Sequence, residues 1–215
     1  MIIEYPADLL ADVQRRTQGA KLTGFVPGMG ADHPRLILIG EAPGREEIKQ
    51  GHPFVGASGK ELTKMVELAG LTRDEVYITS VVRSRPYSIK HVRDRKGQLI
   101  EEHPNRTPSQ REIKAYGHLF DWELSQVNAP VLVPLGNTSM HRLLGPQAKI
   151  SELHGKVLHQ PIMHLNQQEK YELGDHDYWI IPMYHPAAYL YARRLEDTVR
   201  ADWIKLGKWL KEQNR

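Results

Sequence analysis

A carboxylate, an aromatic ring and an imidazole sit in this chain at positions suited to a reactive cleft. Glu41 lies in the turn Gly40-Glu41-Ala42-Pro43-Gly44, directly after the apolar run Leu36-Ile37-Leu38-Ile39. Phe54 lies in a second turn, Gly51-His52-Pro53-Phe54-Val55-Gly56, which continues to Gly59. His185 follows another apolar run, Trp179-Ile180-Ile181-Pro182-Met183, and precedes Pro186. Open α/β sheets bind ligands at strand C-terminal ends; glycine lets backbone approach a ligand closely, and proline stiffens the turn. A carboxylate and an imidazole at such ends can handle protons and developing charge. Each residue also has an inert alternative. Glu41 can cap a helix or pair with an arginine, Phe54 can pack, and a lone histidine is often a satisfied structural residue. The specific signal is their order along the chain, with the polar Ser80 at a further strand end.

Other motifs carry less. Gly59-Lys60 is followed by Glu61 where a phosphate loop needs Ser or Thr, and Phe54 stands where its leading Gly belongs. No G-x-G-x-x-G follows the first strand. The His-Pro pairs at His33, His52 and His103 lie in polar loops. His154, His159, His164 and His176 match no usual ligand spacing, so no metal is expected.

Short apolar runs must hold the candidate residues in place. Strands are predicted at 35–40, 76–79, 131–135 and 179–183. Helices are predicted over 6–18, 58–69, 107–127, 137–144 and 195–211, from apolar spacing and end signals, with Ser58 and Asn137 as N-caps. Such alternation implies a parallel sheet covered on both faces. The expected fold is α/β: a three-layer α/β/α sandwich around a central four-stranded parallel sheet, in a single domain over 1–215. Residues 84–107 form a long polar loop or a hairpin, and residues 155–176 are ambiguous. A loop as long as 84–107 inside a compact domain is usually functional or disordered.

Composition narrows the class. The 215 residues are 40% hydrophobic and 26% charged, an ordinary globular balance. There is no cysteine, which excludes disulfides, thiolate nucleophiles, zinc–thiolate sites and Cys-ligated iron–sulfur clusters. No apolar run is long enough to span a membrane. Met1 to Pro6 lack a basic stretch followed by an apolar one, so no signal peptide is expected and the cytoplasm is the expected location. The net charge of +3 is compatible with nucleic acid. Arg83, Arg85, Lys90, Arg93, Arg95 and Lys96 cluster with only Asp94 opposing them, as either a solvated loop or a binding surface.

With these motifs assembled, the chain resembles the uracil-DNA glycosylase superfamily, and within it the iron–sulfur (family 4) branch, over roughly residues 8–212. The resemblance rests on Gly40-Glu41-Ala42-Pro43-Gly44, on Gly51 to Gly56 and on His185-Pro186-Ala187-Ala188-Tyr189-Leu190. Val76-Tyr77-Ile78-Thr79, Arg85-Pro86, Asn105-Arg106-Thr107-Pro108 and Leu135-Gly136 also fit it. It implies hydrolysis of an N-glycosidic bond in DNA, on a base swung out of the stack; a monomer is expected and, without cysteine, no cofactor. It implies catalytic roles for Glu41 and His185. Gly40, Ala42, Pro43, Gly44, Phe54 and Ser80 would contact the base and sugar. Arg83, Arg85, Arg193 and Arg194 would meet phosphates, and Tyr189, Leu190 and Tyr191 would fill the vacated stack.

Three departures bear on this expectation. The branch's four cluster cysteines would fall near Val13, Arg16, Ser84 and Tyr116, and all are absent together. Ser80 stands where the family has a base-reading Asn. Ala42 stands at the family's water-activating Asp, so Glu41, or failing it Glu47, must take that role. These departures leave an alternative: a DNA-binding or lesion-sensing protein on the same fold that does not cleave.

Overall fold

The computed structural model describes residues 1–188 and 192–213. Its elements are α1 (Ala7–Arg16), β1 (Leu22–Thr23), β2 (Met29–Gly30), β3 (Ile37–Gly40), α2 (Arg45–Gln50), α3 (Ala57–Leu68), β4 (Tyr77–Ser80), β5 (Arg85–Pro86), β6 (Lys90–Arg93) and β7 (Leu99–Glu102). They continue with α4 (Gln110–Ala115), α5 (Gly117–Gln126), β8 (Val131–Pro134), α6 (Asn137–Leu144), α7 (Ile150–Leu153), β9 (Leu158–Leu165), β10 (Tyr171–Ile180) and α8 (Glu196–Gln213).

The main sheet has the order β2-β4-β3-β8-β10-β9. Its four central strands run parallel, as expected. The sheet is wider than four strands because β2 and β9 extend it antiparallel, one at each edge. Neither edge announces itself. β2 is two residues long and ends in Gly30, while β9 carries His159, Gln160 and His164 on a half-exposed surface. Strand period explains the three layers. Leu36, Leu38, Val131 and Val133 pack with Leu62, Met65 and Val66 of α3 and Trp203, Leu206 and Leu210 of α8. Ile37, Ile39, Leu132 and Ile180 pack with Val13 of α1, Leu119 and Phe120 of α5 and Leu143 of α6. Both faces are covered, so the strand residues are apolar without alternation.

Helix ends differ from expectation at three places. The predicted helix over 107–127 breaks at Tyr116, giving α4 and α5. Ser109 and Glu112 form a capping box that starts α4. Gly56 and Gly136, rather than Ser58 and Asn137, precede α3 and α6. Among the described residues no helix is long and apolar enough to cross a membrane.

Candidate active site

The parallel strands deliver the two motif turns to one edge of the sheet. Gly40, the last residue of β3, pairs with Ser80, the last of β4. Beyond β8, Leu135 bridges Met183, and the Gly136 amide donates to the Met183 carbonyl at 2.8 Å. The start of α6 is thereby set beside His185. A cleft of about 1050 Å³ opens here, and Glu41, Ala42, Pro43, Gly44, Phe54, Ser80, Thr138 and His185 all line it.

The Phe54 turn is held from three sides. Phe54 has φ of 53°, a left-handed conformation that costs a non-glycine residue energy and persists only when its surroundings enforce it. Arg73 donates to the carbonyls of Phe54 at 3.1 Å and Pro53 at 3.0 Å. Glu47 Oε1 accepts the amides of Val55 at 3.2 Å and Gly56 at 3.0 Å, while Oε2 accepts Gly44 at 3.1 Å. One buried carboxylate therefore fastens the Phe54 turn to the Glu41 turn. Two glycines allow the close approach: a Cβ on Gly59 would lie 2.0 Å from the Phe54 carbonyl oxygen, and one on Gly40 would lie 2.7 Å from the Phe54 ring. The ring consequently lies over the strand end beside Ser80, and its centroid is 5.9 Å from that of His185.

Glu41 and His185 are held differently. The Thr138 hydroxyl, in the first turn of α6, donates to Glu41 Oε2. The other carboxylate oxygen has no protein partner among the described residues. His185 follows the β10 edge, and burial pushes its pKa below the ordinary 6.5. The Ala187 amide donates to its Nδ1 at 3.2 Å. A neutral ring that accepts at Nδ1 carries its proton on Nε2. That N–H has no protein partner among the described residues and is free to meet a ligand oxygen.

Glu47 also lines the cleft, but three backbone amides bond to its two oxygens, which leaves it less open than Glu41. Arg83 and Arg85, expected at phosphates, are turned inward. Arg83 is 1% exposed and pairs with the fully buried Glu123, which also accepts from Tyr77 at 2.9 Å and Thr79 at 2.7 Å. Arg85 is 6% exposed and donates to Asn105 at 2.5 Å and to the His103 carbonyl. Arg193 and Arg194 are exposed, after the His185 segment. Tyr189, Leu190 and Tyr191 lie outside the described residues. Sequence reasoning missed Thr138, which lies two residues past the Leu135-Gly136 motif, and that spacing is the signal that could have found it.

The positions expected to hold cluster cysteines have other chemistry. Val13 and Tyr116 are buried in one apolar cluster, and the Tyr116 hydroxyl donates to Ser84 Oγ at 2.7 Å. Arg16 pairs with Glu169. A phenol, an alcohol, an aliphatic side chain and a guanidinium offer no thiolate, so these residues do not fit an iron–sulfur cluster.

Comparison with known proteins agrees with this geometry. The family model for the uracil DNA glycosylase superfamily matches residues 27–207. The type-4 uracil-DNA glycosylase of Archaeoglobus fulgidus is 32% identical over 190 residues, spanning 86% of this chain and 82% of that protein. That of Saccharolobus solfataricus is 32% identical over 206 residues, spanning 93% and 84%. That of Sulfurisphaera tokodaii is 33% identical over 189 residues, spanning 86% and 74%. The family match spans most of the chain and the relatives exceed 30% identity over most of their length, so the chain belongs to the uracil DNA glycosylase superfamily.

Proposed function

We propose that this chain is a DNA glycosylase that hydrolyses the N-glycosidic bond of uracil or another deaminated base, as a monomer, leaving an abasic site for base excision repair. The observation that carries this reading is that Glu41 and His185 line one cleft, each with a polar atom that has no protein partner among the described residues. A base must leave the stack to be reached, at a cost of a few kcal/mol that is least for mispaired or damaged bases. Phe54 stacks on the flipped base, and the backbone of Gly40 to Gly44 borders the base and sugar.

Breaking the bond between the sugar C1′ and the base nitrogen leaves the electron pair on the base and positive charge on the sugar. His185 Nε2–H donates to the base oxygen that becomes anionic; such a preorganised donor is worth about 3–4 kcal/mol. The Glu41 carboxylate stabilises the cationic sugar and orients a water. The water oxygen bonds to C1′, and its proton passes to Glu41. Thr138 holds the carboxylate by one oxygen so that the other faces the reaction. Ser80, shorter than an amide and with one hydroxyl, reads the base edge less stringently, which supports a substrate range that reaches deaminated purines.

Labelled oligonucleotides carrying uracil, hypoxanthine or xanthine, single- and double-stranded, test this directly. Abasic-site formation that disappears in both Glu41→Ala and His185→Ala is the expected result. A second reading, a lesion-sensing protein that binds without cleaving, is favoured by Ser80 and Ala42. Absence of cleavage at high enzyme concentration, with salt-dependent DNA binding retained, would establish it instead.

A further inference from the structure

We propose that the β6–β7 hairpin is an arm that grips the phosphate backbone of DNA flanking the nucleotide in the cleft. This rests on the reading of DNA as the substrate. With Arg83 and Arg85 buried, phosphate contacts fall to exposed cations, which include Arg193, Arg194 and those of the hairpin.

Its root is part of the cleft rim. Tyr87 bridges Asn105, and the Ser88 amide donates to the Pro104 carbonyl at 3.0 Å. Pro86, Asn105, Arg106 and Thr107 at this root line the cleft. Arg85 and Arg45 both donate to the His103 carbonyl, which fixes the root to β5 and α2. Beyond the root the two strands pair only with each other and are exposed along nearly their whole length.

The tip is ordered and basic. Asp94 Oδ1 accepts the amides of Lys96 at 2.8 Å and Gln98 at 2.9 Å, so the tip's carboxylate is spent on its own turn. Glu101 bonds to His103 and lies 3.6 Å from His91, while Glu102 stands opposite Lys90 in the strand register. Arg93, Arg95 and Lys96 are exposed and have no carboxylate partner among the described residues; Arg93 reaches only the Gly97 carbonyl. Asp94 bonds within the tip turn and Glu101 to His103, while the tip cations face solvent. An extended strand rises about 3.3 Å per residue, so the roughly eight steps from Tyr87 to Arg95 reach about 26 Å. At about 3.4 Å per phosphate along one strand, that spans roughly eight nucleotides.

The test is fluorescence anisotropy of a labelled uracil-containing duplex, in a His185→Ala background that slows turnover, read before cleavage accumulates, across about 50–300 mM salt. Introducing Arg93→Gln, Arg95→Gln and Lys96→Gln together is expected to weaken binding at least tenfold. It should also flatten the dependence of log Kd on log salt by about 2–3, one for each phosphate no longer neutralised. In the His185 background with tip cations intact, shortening the duplex on one side of the uracil should weaken binding more than on the other; the triple variant should lose this asymmetry. Single-turnover cleavage by an otherwise native triple variant at saturating enzyme should stay within about twofold, since the tip lies outside the reacting groups. An unchanged affinity and slope would overturn the arm while leaving the cleft's function standing. A tip that contacts a protein partner through exposed Leu99 and Ile100 would give that same result. A parent protein that binds no DNA would overturn the substrate reading, and the arm with it.

Discussion

Two carboxylates lie beside the neighbouring strands β3 and β4 and could hardly be treated more differently. Glu123 is fully buried, accepts from Tyr77 and Thr79 of β4, and pairs with Arg83. Glu41, immediately after β3, is half-buried and accepts from Thr138 alone among the described residues. The first is closed: its acceptors are used, and removing a partner would strand a buried charge. The second keeps an unused acceptor facing open space. The contrast separates a carboxylate that fixes β4, and hence Ser80, from one left available to substrate. Glu47 falls between them, lining the cleft while bonded to three backbone amides.

The contrast can be broken or sharpened by substitution. His185→Ala should produce the largest effect, lowering kcat by about 10²–10³ through loss of the donor to the leaving base, with thermal stability nearly unchanged. Glu47→Ala should act on both sides of the contrast. Losing a charged acceptor for three amides should cost about 2–3 kcal/mol in denaturant unfolding. Release of the Phe54 turn should also slow cleavage by about 10²-fold. Equal stability would show that the turn is held without it. Thr138→Val should lower kcat by about tenfold with little change in KM, while Thr138→Ser restores it, because only the hydroxyl matters. Tyr116→Phe should cost about 1 kcal/mol and leave cleavage at the wild-type rate, as befits a closed corner.

His185 gives the contrast a pH signature. Its folded pKa lies below 6.5 because burial disfavours the imidazolium. The unfolded state then binds more protons between the folded value and 6.5, so stability rises with pH through that window. This contribution is fully present above about 6.5 and is lost as pH falls through the folded pKa. NMR titration of the His185 ring should show no step at the ordinary value and one below it. A midpoint at or above the ordinary value would mean that the ring is not held neutral.

The parallel strands and most of the cleft were legible from sequence because apolar runs ended in Gly- and Pro-rich turns. Glu41, Phe54, Ser80 and His185 all reached one cleft for that reason. The misreadings have physical causes. Arg83 and Arg85 look like solvent-facing cations in a basic stretch, yet the carboxylate that buries Arg83 lies forty residues away in α5, a pairing no local pattern reveals. Tyr116 looks like one more residue of a long helix, but it separates α4 from α5 while its hydroxyl reaches Ser84. The β9–β10 hairpin carries polar residues because one side of it meets solvent, which blurred its strand period. Glu47, named from sequence only as a fallback carboxylate, has its clasp on Val55 and Gly56 set by the fold.

The most direct measurement sets Glu41→Gln beside Glu123→Gln, with single-turnover cleavage of uracil-containing DNA and chemical unfolding recorded for both. Glu41→Gln should lose cleavage by about two orders of magnitude or more and keep its stability. Glu123→Gln should lose about 3–5 kcal/mol of stability, while the molecules that remain folded still cleave. A Glu41→Gln protein that cleaves at the wild-type rate would contradict the catalytic role assigned to the open carboxylate.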